Sequence, residues 1–278
     1  PLDPCRWNAE QMDIETFDRL PRVPGYVYEL WSGTPHIRPS DRTLVRVVAG
    51  TEHLRRRARP VGAPSALTLM PLREDAVDDA VRLWTRTFLP LPDYGCADEA
   101  YVRSNARVTL RAYLDTSTRP FTPPMAAYHK GALVGVAALD AWLGAPLLDV
   151  IVVAPSLQQQ GVGTALLAAV LDPVDTTAHP RTVSLYHLAN EGSQVWHTAQ
   201  GFVPLPDVFI VRHCARYARQ NVRNGHVTGT AAERHVAHLE HVVERMEALD
   251  HTEYATAHPS LWTERERLEQ VFGVEETP

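Results

Sequence analysis

The sequence predicts a mixed α/β protein, with a central and mostly antiparallel sheet flanked by helices, a helix and β-hairpin ahead of it and helices behind it. Three observations carry this expectation. An apolar strand passes through a glycine-bearing loop into an Ala/Leu-rich helix at LLDVIVVAPSLQQQGVGTALLAAVL (147–171). Two amphipathic helices follow a single strand between residues 65 and 115, and two apolar runs flank Lys130-Gly131 as in a hairpin. Composition shifts at RRRARPVGAPSA and ARYARQNVRNGHVTGTA divide the 278 residues into an extension over 1–62, a core over 63–214 and a helical extension over 215–278.

Each element has its own warrant. Within FDRLPRVPGYVYELWSGTPHIRPS (17–40) a short helix precedes a hairpin. SALTLMPL (65–72) is a strand, and REDAVDDAVRLWTRTF (73–88) places Val77, Ala80, Val81, Trp84 and Phe88 on one helical face. After the loop LPLPDYGC, DEAYVRSNARVTLRAYLD (98–115) gives a second helix with Tyr101, Val102, Val108, Leu110, Tyr113 and Leu114 as its apolar set. PPMAAYHKGALVGVAALDAW (123–142) is the hairpin and APLLDVIVVA (145–154) the next strand. A strand at RTVSLYHLA (181–189), a helix at EGSQVWHTAQ (191–200) and a last strand around VFIVRHC (208–214) complete the core.

In the C-terminal extension, AAERHVAHLEHVVERMEALDH aligns Val236, Leu239, Val242, Val243, Met246 and Leu249 on one stripe that must dock on the chain's own core, over a substrate cleft or across a homodimer. SLWTERERLEQVFGVEE adds a short helix with Leu261, Trp262, Leu268 and Val271.

Composition excludes several function classes. Hydrophobic residues at 45% and charged residues at 22% describe a folding chain. With 27 Lys and Arg against 33 Asp and Glu the net charge is −6 and no basic stripe stands out, so nucleic acid is not an expected partner. The run RRRAR (55–59) is a solvated connection. Cys5, Cys96 and Cys214 are odd in number and lack C-x-x-C spacing, which fits a reducing cytoplasm. No apolar run reaches membrane-spanning length and no signal-peptide layout opens the chain. His235, His238 and His241 drift around their helix at three-residue spacing, so no metal is expected.

The chemistry lies in the loop at 155–163. Pro155 ends a strand, and the chain from Gln158 to Gly163 turns so that successive N–H groups converge at a helix start, where the dipole adds partial positive charge. A phosphate or pyrophosphate is the expected guest. A Walker loop would need a lysine before Ser or Thr, whereas Gly163 precedes Thr164 and Ala165. A dinucleotide fingerprint would need a third glycine where Leu166 stands.

What remains is Q-x-x-G-x-G, formed by Gln158, Gly161 and Gly163, with a second landmark in VSLYHLANEGSQVWHTAQGF (183–202), where Asn190 ends a strand and Gly201-Phe202 opens the last one. Together these resemble the GNAT acetyltransferase superfamily over about residues 64–214. The resemblance implies that acetyl-CoA lies where the strand of 147–154 splays from that of 181–189. It also implies that the amides around Gln159, Gln160, Val162 and Thr164 take the pyrophosphate, that the pantetheine arm pairs with Ile151, Val152 and Val153, and that Asn190 lines the cofactor. A strand amide near Val152 would polarise the thioester carbonyl.

An amine must lose its proton to attack a thioester, so a base is required. Asp149 is the only carboxylate in its strand and shares a face with Ile151 and Val153. It serves either as that base, through water, or as a structural partner of neighbouring backbone or an arginine. Asp140 and Glu191 are alternatives. Where many family members carry a tyrosine seven residues after the asparagine, this chain has His197, read as the acid that protonates the CoA thiolate, with Tyr186 as its stand-in. Asp93 and Tyr94, beside Asp98 and Glu99, either receive a cationic amine or form a solvated loop and helix cap.

These features lead to an acetyl-CoA-dependent N-acetyltransferase acting on a small-molecule or natural-product amine, including a peptide-antibiotic N-terminus. The alternatives are a protein or lysine acetyltransferase and a CoA-binding module without turnover. Residues 17–40, with Glu29 in Y-E-L-x-x-G, also resemble the opening hairpin of PD-(D/E)XK restriction-endonuclease-like proteins, but the other nuclease residues have no room before the core.

Overall fold

A computed structural model describes residues 3–40, 43–57, 64–94, 97–115, 121, 123–142, 144–205 and 208–248. In chain order its helices are α1 (Ile14–Asp18), α2 (Thr51–Arg57), α3 (Val77–Phe88), α4 (Glu99–Leu114), α5 (Val162–Leu171), α6 (Glu191–Gln200), α7 (Val208–Arg223) and α8 (Thr230–Ala248). The strands are β1 (Tyr26–Trp31), β2 (Thr34–Pro39), β3 (Leu44–Gly50), β4 (Leu67–Pro71), β5 (Met125–His129), β6 (Ala132–Trp142), β7 (Ala145–Val153), β8 (Arg181–His187) and β9 (Val203–Leu205). The chain forms two compact units, Arg46–Pro204 and the pair of segments Pro1–Val45 with Leu205–Pro278.

The first unit is built on a sheet of order β4-β5-β6-β7-β8-β3-β9. The ladders from β4 through β7 are antiparallel, whereas β7 and β8 run parallel. Lys130 and Gly131 both have positive φ, 50° and 79°, the turn that lets β5 and β6 pair with only two linking residues. Val77, Ala80, Val81 and Trp84 of α3 are buried as their spacing predicts. On α4 the buried set is Val102, Ala106, Leu110 and Tyr113, while Tyr101 and Val108 are 60% and 66% exposed. The apolar set assigned to α4 from spacing is corrected accordingly.

Two further corrections concern strands. The segment 208–214, read as the last strand from its β-branched residues, is the start of α7, and β9 takes the strand's place at Val203–Leu205. Burial of Ile210, Val211, Ala215 and Tyr217 at helical spacing overrides local β-propensity. The sequence also gave no hint of β3 and α2. LVRVVAG is a strand between β8 and β9, and Thr51, which opens α2, bonds across to Thr182 with hydroxyl oxygens 3.0 Å apart. The arginines of RRRAR that the structure describes lie on α2, where Arg56 pairs with Glu52 at 3.0 Å.

In the second unit β1 and β2 form an antiparallel hairpin turning at Ser32-Gly33, over a cluster of Trp7, Phe17, Leu20 and Ile37. His213, Tyr217 and Asn221 lie one turn apart on α7 and face residues 22–26. Gly25 N–H donates to His213 Nε2 (3.0 Å), Tyr217 Oη donates to the Tyr26 carbonyl (2.7 Å), and Asn221 exchanges two 2.7 Å bonds with the backbone of Arg22. The Arg22 guanidinium sits between the rings of Phe17 and Tyr28, 4.8 and 4.4 Å from their centroids. Helix α8 packs along α7 with Val242 fully buried. The stripe therefore docks on a neighbouring helix, while Leu249, the short helix expected at 260–276 and Cys96 lie outside the described residues. Among the described residues no helix is long and apolar enough to cross a membrane.

Candidate active site

A gap opens where β7 and β8 part. They pair only through Leu147 with Val183 and Leu148 with Ser184, after which the two strands diverge. At that apex β7 carries a bulge. Ala138 of β6 pairs with Val150 and the next residue, Leu139, pairs with Leu148, so Asp149 has no cross-strand partner on β6. A bulge re-aims the side chain it carries. Asp149 is exposed, and its Oδ2 accepts a 2.6 Å hydrogen bond from the hydroxyl of Tyr113, itself only 3% exposed on α4.

Beyond the bulge, Ala154 N–H donates to the Val134 carbonyl, 2.8 Å away on the β6 side. Strand alternation then turns the Val152 amide toward β6 as well and leaves the backbone of Ile151 and Val153 facing the gap. Of the backbone near Val152, it is that of Ile151 and Val153 that faces the gap. On that side the Val153 carbonyl accepts from Gln158 Nε2 at 3.2 Å.

Next comes the loop. Gln159 and Gly161 adopt left-handed φ values of 60° and 77°, and Gly161 heads α5 with no side chain capping it. The first intrahelical bond is Ala165 N–H to the Gly161 carbonyl (2.9 Å), so the amides of Val162, Gly163 and Thr164 have no acceptor within the helix. The side chains of this turn are committed elsewhere. Val162 is buried, Thr164 Oγ1 accepts from Gln200 Nε2 (3.2 Å), and Gln160 Nε2 donates to the Ser156 carbonyl (2.9 Å). At Gly163 a Cβ would lie 3.1 Å from Trp196 Nε1, so the indole would have to give by a few tenths of an ångström to admit a side chain there. The turn presents backbone donors at a positive helix end, which is the arrangement that holds phosphate.

The β8 arm differs from expectation. His197 is 2% exposed, ringed by Tyr186, Trp196 and Phe202 at centroid distances of 5.5, 4.9 and 5.2 Å. Its Nδ1 lies 2.7 Å from the Ser193 carbonyl and must carry the proton there. Nε2 then presents its lone pair to Ser184 Oγ at 2.9 Å, and the single Ser184 hydroxyl proton is contested by the Leu148 carbonyl, also at 2.9 Å. Burial pushes the imidazole down to about 4, with the Ser193 carbonyl pulling the other way. His197 is thus a neutral strut across the apex, and the acid role assigned to it is corrected: an enclosed ring with both nitrogens engaged is not placed to protonate a thiolate. Tyr186, 6% exposed, is enclosed in the same cluster.

Asn190 caps α6, accepting from Ser193 N–H (3.0 Å), and its Nδ2 donates to Asp93 Oδ2 at 2.7 Å. Burial raises the Asp93 carboxyl above the usual carboxylate range, opposed by the Asn190 hydrogen bond and the nearby His187. Tyr94 Oη accepts from Trp84 Nε1 (2.9 Å) and Asn105 Nδ2 (2.7 Å). Asp98, in contrast, is the cap of α4, accepting from Tyr101 N–H at 2.7 Å. Among the described residues no group of three or more His, Cys, Asp or Glu is placed to hold a metal ion.

A parallel pair that parts at a bulge, with an uncapped glycine-headed helix between its strands, lies within residues 77–202, which match a family model described as the acetyltransferase (GNAT) family. Residues 77–202, a little under half of the chain, are similar to that family. A search of curated proteins returned no match. Among solved structures, a functionally unknown conserved protein from Staphylococcus epidermidis is similar with 15% identity and a TM-score of 0.44, over 58% of this chain and 57% of that one. The chain thus spans a little over half of that protein's length. The PaiA N-acetyltransferase from Thermoplasma acidophilum, in complex with coenzyme A, is similar with 10% identity and a TM-score of 0.40 over 48% of this chain and 87% of its own. An aminoglycoside N-acetyltransferase in complex with CoA shows 21% identity and a TM-score of 0.38 over 51% and 91%.

The matched region also contains residues of the candidate site that the sequence did not flag. Tyr113 is counted among the apolar positions of α4, and only its place on the last turn hints that its hydroxyl meets another element. Ser184 is a lone hydroxyl in an apolar strand, and Trp196 is one more aromatic in a short helix. None of the three carries a motif.

Proposed function

We propose that the chain is an acetyl-CoA-dependent N-acetyltransferase that acetylates a primary amine by direct attack, in the cytoplasm. The observation that carries this reading is the juxtaposition of the β7–β8 gap, the open first turn of α5 and a bulged, solvent-accessible Asp149 at the apex. The amides of Val162, Gly163 and Thr164 suit the pyrophosphate, and the gap-facing backbone of Ile151 and Val153 suits the peptide-like pantetheine arm. In the reaction the amine nitrogen bonds to the thioester carbon, the C–S bond breaks, the amine proton passes through water to Asp149 and the thiolate leaves to be protonated from solvent. A gap-side amide of β7 would stabilise the oxyanion.

The acceptor on this reading is a small-molecule or natural-product amine, including a peptide-antibiotic N-terminus. Asp93 supports a cationic acceptor, since it is a carboxylate held at the carboxyl end of β8. Tyr94 is already committed to Trp84 and Asn105 and supplies wall rather than a hydrogen-bonding group. A second reading, a CoA-binding module without turnover, is favoured by the enclosure of His197 where relatives place a tyrosine.

Thiol release from acetyl-CoA, measured across a panel of small amines and peptides, separates the two. Turnover with one amine class that collapses in Asp149→Asn supports the transferase. Tight acetyl-CoA binding with no thiol release from any amine supports the binding module.

A further inference from the structure

We infer that Tyr113 is a positioning residue for the base, its buried phenol fixing the Asp149 carboxylate at the β7 bulge while leaving the second oxygen for the reaction. The inference rests on the acetyl-transfer reading of the same site. A bulged residue is off the ladder, and Asp149 is exposed, so its carboxylate would otherwise sample several rotamers in water. Efficient proton abstraction demands one geometry. Tyr113 supplies it. The ring is anchored by a helical face on which Ala106 and Leu110 are fully buried, and the hydroxyl donates to Oδ2 at 2.6 Å, the length of a charge-assisted bond. That bond engages one oxygen only. Asp149 thus has one oxygen held from the protein side and one free to take a proton.

The arrangement also explains why a tyrosine occupies an otherwise apolar stripe. Phenylalanine would fill the same volume, so packing alone does not require the hydroxyl, and its partner is an exposed carboxylate that water could satisfy.

The test uses the full chain with Tyr113→Phe, Asp149→Asn and the double variant, assayed with acetyl-CoA and the amine that wild type turns over fastest. Tyr113→Phe is expected to lower kcat about tenfold with KM for acetyl-CoA within about twofold of wild type. In the Asp149→Asn background the same change is expected to cost nothing further, because Tyr113 acts through that carboxylate. Unfolding of all four proteins without acetyl-CoA gives a second cycle, in which non-additive midpoints report the hydrogen bond whether or not the chain turns over. An unchanged kcat in Tyr113→Phe, or losses that multiply in the double variant, would overturn the inference while leaving the transferase reading intact. A wild type that releases no thiol with any amine would instead remove the transferase reading, and the positioning role with it.

Discussion

The two arms of the β7–β8 opening carry polar groups of opposite character. On the β7 arm Asp149 is exposed, bulged and held by one hydrogen bond. On the β8 arm His197 is enclosed, neutral and tied through Ser184 to Leu148, while Asn190 is bonded to Ser193 and Asp93. Proton traffic needs a group that can change its charge in contact with water, which the first arm offers. A fixed width needs groups that cannot change, which the second arm offers. Histidine, the residue most often enlisted for acid–base work, is here on the arm that holds still.

The largest effect that would sharpen this contrast is on turnover. Asp149→Asn removes the proposed base and is expected to lower kcat by on the order of a thousandfold, about 4 kcal/mol of transition-state stabilisation. His197→Phe keeps a ring in the same enclosure and is expected to leave kcat per folded molecule within about threefold. A parallel collapse in both variants, with His197→Phe still folded by circular dichroism, would return His197 to the chemistry.

The next effect is on stability against pH. The folded imidazole titrates near 4 against 6.5 for its ordinary value, so below pH 6.5 the unfolded chain takes up a proton that the folded chain refuses. Stability from this group is complete above pH 6.5 and is lost as pH falls toward 4, by about 3 kcal/mol in all. Asp93 acts in the opposite sense, because its raised carboxyl favours the fold when protonated and loses that advantage as pH rises through its folded value. Urea midpoints from pH 7.5 to 4 in wild type and His197→Phe isolate the histidine, since Asp93 is common to both. Equal slopes in the two proteins would show that His197 is solvated.

The same contrast explains what the sequence discloses. The glycine loop is legible because its work is done by backbone, and backbone requirements write themselves as Gly161, Gly163 and Pro155 at fixed spacing. Asp149 is legible because a lone carboxylate in LLDVIVV has few other reasons to be there. Burial is not legible. Nothing in SQVWHTAQ says that His197 faces inward to Ser184 rather than outward to a thiolate, because that depends on where β8 lies beneath α6. The β-branched start of α7 misleads for the same reason, since docking of residues 213, 217 and 221 against a segment nearly two hundred residues earlier has no local signature. β3 is missed because the composition shift after it marks a linker, not the edge of the sheet.

A smaller effect tests the loop backbone itself. Gly161→Ala places a Cβ at φ 77°, a strain of about 1–2 kcal/mol that reaches the helix start directly. Acetyl-CoA affinity by calorimetry is expected to fall with it, more than tenfold, if the left-handed turn is what aims the following amides. Unaltered affinity at reduced stability would detach the turn from binding.

The smallest effect lies where the two arms meet, at Gly163 and Trp196. A Cβ on residue 163 falls 3.1 Å from the indole Nε1 and 3.7 Å from a Val153 methyl, so the indole of α6 has to yield by a few tenths of an ångström. Trp196 is only half-buried and can move, which limits the cost of Gly163→Ala to about 1 kcal/mol. Its acetyl-CoA affinity is expected to weaken several-fold, because a displaced indole shifts α6 against the amides of α5. Trp196→Phe removes the Nε1 edge, and in that background Gly163→Ala is expected to cost little of its stability. Equal losses in both backgrounds would mean that the bare amide, rather than the ring above it, dictates glycine at this position, and the nest would then be the more exacting of the two arms.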